Sequence, residues 1–146
     1  MNQSDFDPDV VIDARYSVLG RVATEVASRA LDGDRVAVVN AEEAVITGGK
    51  EDVYEKFRKR QSLGSDKGPN HPRRPDGIFK RSVRGMLPMN RTTGREAFRN
   101  VRVYVGNPFE DEEPTVLEDA TIDRLSTIRF VELGDISKQL GAKPTW

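Results

Sequence analysis

Two periods alternate along the first hundred residues. Val10-Val11-Ile12 and Val36-Ala37-Val38-Val39 are short runs of mostly β-branched apolar residues, the pattern of strands buried on both faces. Between them Val18, Leu19, Val22, Ala23, Val26, Ala27, Ala30 and Leu31 recur at helical spacing, with Arg21, Glu25, Ser28 and Arg29 on the other face. Ser17 stands where an N-cap belongs, and Asp32-Gly33-Asp34 stops the helix, with Gly33 able to turn left-handed. Glu25 and Arg29 are one helical turn apart and placed to pair. Strand, helix, strand predicts a crossover unit with parallel strands.

The pattern continues with Ala44-Val45-Ile46 as a further strand and a glycine turn at Thr47-Gly48-Gly49. Lys50–Arg60 reads as a helix with Val53, Tyr54 and Phe57 inward. Ser62–Pro75 is rich in Gly and Pro and predicts a loop. Asp76–Arg84 reads as a helix with Ile78, Phe79 and Val83 inward. A turn at Gly85–Pro88 leads to a second short helix near Thr93–Asn100, whose Ala97 and Phe98 are expected to face the sheet. Val101, Val103 and Val105 then alternate with Arg102 and Tyr104, the period of a strand with one apolar face. An acidic linker follows at 110–114, then a mixed stretch over 120–130 and a short amphipathic helix at Leu133–Leu140. Together these predict an α/β fold: a three-layer α/β/α domain with a small, mainly parallel sheet, helices on both faces and an extended C-terminal tail. Residues 1–106 form the α/β part with a basic middle at 50–102, and 107–146 add the linker and last helix to the same structural unit.

Charge changes the picture more than composition does. The 146 residues suffice for one domain, contain no cysteine and carry no apolar run long enough to span a membrane. Met1–Asp9 is polar and acidic, unlike a secretory leader, so a cytoplasmic protein is expected. The net charge of −1 hides a segregation: Lys50–Arg102 holds 15 Lys or Arg against 6 Asp or Glu, and both ends are acidic. A basic middle of this kind points to a polyanion partner. Arg84, Arg91, Arg95, Arg99 and Arg102 place five guanidinium groups around a backbone shaped by Gly85, Pro88 and Gly94. Arginine's planar donor fork suits phosphate and stacking on bases. Lys59, Arg60, Lys67, Arg73, Arg74, Lys80 and Arg81 join the candidates by charge alone, and each reads equally as a solvated helix end or loop.

Other chemistries find little support. Thr47-Gly48-Gly49-Lys50 opens a helix but lacks the spacing of a phosphate loop, and the first turn has no GxGxxG series. His71 is the only histidine, so neither a metal site nor a Ser-His-Asp triad is expected, and no cofactor. The last helix leaves no room before Trp146 for a DNA-recognition helix. Met86 and Leu87 read as core at a turn or as a partner contact. Trp146 is expected against the body or a neighbour.

The same stretch resembles the large-subunit ribosomal protein L13 family. Gly85-Met86-Leu87-Pro88, the Gly94-Arg95 pair and Val103-Tyr104-Val105-Gly106 match its pattern at its spacing. So do Ile12-Asp13-Ala14 with Leu19-Gly20-Arg21-Val22-Ala23, and Asn40-Ala41-Glu42 with Thr47-Gly48. Leu133–Gly141 resembles the archaeal and eukaryal branch. The resemblance implies the same fold, a cytoplasmic place in the large ribosomal subunit, large-subunit ribosomal RNA and neighbouring ribosomal proteins as partners, a part in subunit assembly, and no catalysis. Two alternatives stay open: a nucleotide-binding α/β enzyme, and a protein-binding module acting through the acidic tail.

The family's usual charge is basic, and this chain departs from it. Arg outnumbers Lys 16 to 7, and Asp outnumbers Glu 13 to 11. Adaptation to a high-salt cytoplasm, with a halophile's carboxylate-rich solvent face, accounts for both. At about 1 M salt the Debye length is roughly 3 Å, so steering is lost while close bidentate contacts survive. The expected outcome is a melting temperature that rises with KCl into the molar range. Maximal stability at low salt in a thermal-melt series rejects this reading.

Overall fold

The computed structural model describes residues 6–63, 71–109, 111–124 and 129–146. The strands are β1 (Val10–Asp13), β2 (Val36–Val39), β3 (Val45–Thr47), β4 (Val101–Val103), β5 (Thr115–Val116) and β6 (Phe130–Glu132). The helices are α1 (Leu19–Leu31), α2 (Lys50–Ser62), α3 (Pro75–Gly85), α4 (Thr92–Arg99) and α5 (Leu133–Gln139).

β1 and β2 pair in parallel, as the strand–helix–strand pattern predicts, and the sheet order is β4-β2-β1-β5 with every pairing parallel. The α/β class with a small parallel sheet is therefore what the chain builds. All four residues of β2 are buried, which is why the strand reads as an unbroken apolar run. Ile12, Val36, Val38 and Val101 face the helices and join one large core with Val22, Val26, Phe79 and Val83. The second face is closed differently from the helical layer expected there. Val11, Ala37 and Val39 pack with Phe6, Tyr104 and Phe109 in a smaller cluster that contains no helical residue. Tyr104 meets Phe109 edge-on at 5.2 Å. The alternation after Val101 is real, but both of its faces are covered.

Three local expectations need correcting. Ser17 does not cap α1: its hydroxyl donates to the Arg15 carbonyl at 3.2 Å, and the helix starts at Leu19 after Val18. The backbone there is held by tertiary bonds instead, from Val45 N–H to Ser17 O and from Val18 N–H to Ala120 O. β3 does not join the main sheet; it pairs antiparallel with β6, which arises from the mixed stretch. Leu31, at the end of the apolar stripe of α1, is exposed. Glu25 and Arg29 do pair, at 3.0 Å.

After α5 the chain, Leu140–Trp146, has no further helix or strand. It returns to the body nonetheless. A Cβ on Gly134 would lie 3.0 Å from the Trp146 indole nitrogen and 3.1 Å from the Glu42 carbonyl oxygen, so the bare glycine admits both.

The turn between α3 and α4 is set by one close approach. Gly94 is buried in the first turn of α4, and a Cβ there would collide with the Pro88 carbonyl oxygen. Arg91 N–H donates to that same oxygen at 3.0 Å. Gly85 is different: a Cβ there meets nothing within 4 Å. Gly94→Ala is therefore expected to destabilise the fold by about 1–3 kcal/mol, the cost of overpacking. Gly85→Ala is expected to be neutral or stabilising by up to about 1 kcal/mol, since alanine favours the helix. Urea unfolding of the two variants checks the contrast.

Candidate nucleic-acid interface

α3 and α4, with Arg91 directly before α4, display half of the candidate cations. α3 turns Ile78, Phe79 and Val83 into the core, which leaves Arg81 and Arg84 exposed and Lys80 half-buried. α4 buries Gly94 and Ala97. Arg91, Arg95 and Arg99 recur at intervals of four, so they share one face, and all three are exposed. β4 fixes the end of this arrangement, with Arg102 half-buried beside it.

Two clefts open on this surface. One, of about 460 Å³, is lined by His71, Lys80, Arg81, Arg84 and Phe98 among others. The second, also about 460 Å³, is lined by Arg74, Asp76, Lys80, Arg102 and Tyr104 among others. Lys80 borders both. Its ammonium stands 4.9 Å from the centroid of the Phe98 ring, which is only partly buried rather than turned fully onto the sheet. Ala97 takes the inward position of α4 instead. Arg102 rests over Phe6 at 5.4 Å.

Neutral acceptors orient Arg95 and Arg102. Arg95 donates to the Met89 carbonyl at 3.3 Å and to the Thr92 hydroxyl at 3.4 Å. Arg102 donates to the Arg99 and Val101 carbonyls at 3.2 and 3.3 Å. Such bonds orient a guanidinium without cancelling its charge. Among the described residues, no carboxylate lies within ion-pair distance of Lys59, Arg60, Arg73, Lys80, Arg81, Arg84, Arg91, Arg95 or Arg99.

Arg74 is the exception. It pairs with Asp76 at 3.5 Å, donates to the Thr145 hydroxyl at 2.9 Å and lies over the Trp146 ring at 5.9 Å. It ties down the C-terminal segment while still lining the second cleft. Lys59 is exposed on α2 and borders none of these clefts. Arg60 also lies on α2, over the Phe57 ring at 5.4 Å. Arg73 is exposed at the entry to α3. Lys67 lies outside the described residues. Gly94 and Pro88 shape the turn through their contact, whereas Gly85 makes no steric contact of that kind. Met86 and Leu87 divide between the two readings offered for them: Leu87 is 7% exposed and Met86 42%. Phe57 and Phe98, which serve as platforms under cations, could not be read from spacing, because both sit at positions that suit a core equally well.

The glycine turn before α2 is poorly suited to a phosphate. Its cleft is lined by Glu51 and Asp52 in the first helical turn as well as by Lys50 and Arg129, so the two carboxylates offset the two cations. A separate acidic cavity of about 310 Å³ is lined by Glu42, Glu43, Glu132, Asp135 and Trp146 among others. Burial, then the neighbouring Asp135, Glu43 and Glu42, push the Glu132 carboxyl up from its ordinary range.

The family model for ribosomal protein L13 matches residues 8–110, more than half of the chain. This chain belongs to the ribosomal protein L13 family. It is similar along its whole length to proteins named large ribosomal subunit protein uL13. The one from Natronomonas pharaonis is 64% identical over 146 residues, covering 100% of both chains. Those from Halobacterium salinarum and Haloarcula marismortui are 61% and 58% identical, again over 100% of both chains. The family match takes in every element from β1 to β4, and with them both clefts.

The electrostatics of Lys80 yield a test within the free protein. Burial lowers its pKa, and the Arg102 charge lowers it further. The fold therefore opposes the charged form, and stability rises as pH climbs through the lowered pKa. Lys80→Met keeps the apolar stem and removes the charge. The expected outcome at pH 7 is a melting temperature raised by about 1–3 °C. A clear drop shows that the ammonium stabilises the fold.

Proposed function

We propose that this chain is a structural constituent of the large ribosomal subunit, gripping ribosomal RNA and supporting subunit assembly without catalytic turnover. One observation carries the reading: a set of exposed cations on α3 and α4 has no carboxylate partner among the described residues, while the backbone beneath them is fixed. Like charges gathered in this way repel one another until a polyanion meets them. The names of the full-length relatives, all large-subunit proteins, agree with it. Arg84, Arg91, Arg95, Arg99 and Arg102 are the principal contacts, with Lys80, Arg81 and Arg60 beside them. Phosphate contacts fix register and orientation rather than reading sequence, so the RNA is discriminated mainly by its shape.

Residues 107–146 belong to the same structural unit in this reading, supported by the pairing of β5 with β1 and of β6 with β3. Their acidic side chains repel phosphate, so this end faces solvent or a neighbouring ribosomal protein. The complex works in the cytoplasm, where subunits are assembled and used.

Replacing Arg84, Arg95 and Arg99 together by Ala tests the interface. Binding to large-subunit ribosomal RNA is expected to weaken, and the slope of log K against log salt to flatten by about 2–3. An unchanged affinity and slope, with the fold intact by circular dichroism, rejects the interface.

A further inference from the structure

A further cavity, of about 440 Å³, lies between the start of α1, α2 and α3, with β3 along one side. Its lining is unlike that of the clefts above. Phe57, Ile78, Ile46 and Leu140 present an apolar floor, and Ile46 and Leu140 are only partly covered by the core. Lys56, Arg60 and Arg81 stand on its border, all exposed, and none has an ion-pair partner among the described residues. The Arg60 guanidinium stands over the Phe57 ring, 5.4 Å from its centroid. Apolar floor and cationic border call for an occupant that is flat or apolar at one end and anionic at the other. The volume falls in the range of about 300–1,000 Å³ usual for small-ligand sites.

The cavity is continuous with the proposed RNA face. His71, Pro72 and Arg81 line both this cavity and the cleft of Lys80 and Arg84. An RNA strand crossing that cleft would pass the mouth of the cavity. Gly20 gives a third observation. It is exposed in the first turn of α1, it lines the cavity, and a Cβ there would meet nothing within 4 Å. Glycine weakens a helix, and no contact among the described residues requires one here.

We propose that the cavity receives a single unstacked nucleotide of the bound RNA. The base lies on the apolar floor beside Phe57, and the flanking phosphates meet Lys56, Arg60 and Arg81. RNA is read in this way where bases are splayed from loops and bulges onto aromatic or guanidinium planes. The site adds one base-dependent contact to an interface otherwise recognised by shape. This proposal rests on the RNA-binding reading above.

The test uses the full chain bound to deproteinised haloarchaeal large-subunit ribosomal RNA, irradiated at short ultraviolet wavelength and mapped by mass spectrometry. The expected result is a nucleotide adduct on the α2 peptide carrying Phe57 or the α3 peptide carrying Ile78. Gly20→Phe, which fills open space, is expected to lose that adduct and bind about tenfold more weakly, as loss of one stacked base predicts. Its salt slope flattens by no more than about 2–3, because only the phosphate contacts of Lys56, Arg60 and Arg81 can be lost with the base. Gly20→Ala, which the space accommodates, keeps both adduct and affinity. Tight wild-type binding with no adduct at the cavity, or with Gly20→Phe binding as tightly as wild type, overturns the nucleotide site and leaves the arginine face standing. Absence of wild-type binding overturns the RNA-binding reading itself. The adduct map does not depend on any variant folding.

Discussion

Like charges do not gather on a surface unless something other than a counter-ion holds them there. In this chain that something is the pairing of β4 with β2. Val101 lies beside Val36 and Val103 beside Val38, and the ladder is extended at each end by Val36 N–H to Asn100 O and Tyr104 N–H to Val38 O, both 2.8 Å. β2 is buried throughout and is itself paired to β1, so the edge that receives β4 cannot shift without opening the core. α4 ends directly before β4, and α3 packs on it, so Arg84, Arg91, Arg95, Arg99 and Arg102 inherit fixed positions from one short strand. The repulsion among them is borne by apolar burial on the other side of the backbone.

Polar anchoring refines these positions. The carbonyls of Met89, Arg99 and Val101 hold Arg95 and Arg102, and the rings of Phe57, Phe98 and Phe6 sit beneath Arg60, Lys80 and Arg102. An aromatic face attracts a cation but leaves its charge available to a phosphate. A carboxylate in the same place would compete with the RNA. Carboxylates are instead concentrated elsewhere, around Glu42, Glu43, Glu132 and Asp135, and in the segment 111–119. The segregation lets a chain of net charge −1 offer a strongly cationic surface. Where salt shortens the reach of charge to a few ångströms, contact geometry matters more than net charge.

Arg74 shows what a nomination by charge alone leaves out. Nothing in its neighbourhood of sequence separates it from Arg73. Only the fold brings Thr145 and Trp146 to it across the whole length of the domain, and Asp76 completes its engagement. Ser17 makes the same point for local structure. Its type and position suit an N-cap, yet tertiary hydrogen bonds to Val45 and Ala120 hold the segment and turn its hydroxyl away. β6 is the opposite case, a strand without a period of its own that forms because β3 offers it an edge.

The linear order of residues was enough to establish the strand–helix–strand unit, the short helices of the basic middle and the turn at Gly94. Each of these is set by contacts between near neighbours or by a run of burial on a single period, and both leave a mark in local pattern. The family motif was legible for the same reason, since Gly85–Pro88, Gly94-Arg95 and Val103–Gly106 are one continuous stretch. What the order of residues could not decide is which cations share a surface, what closes the second face of the sheet, and that Lys56, Arg60 and Arg81 meet over an apolar cavity. Those depend on elements far apart in the chain arriving side by side. Spacing along a sequence carries no record of distance across a core.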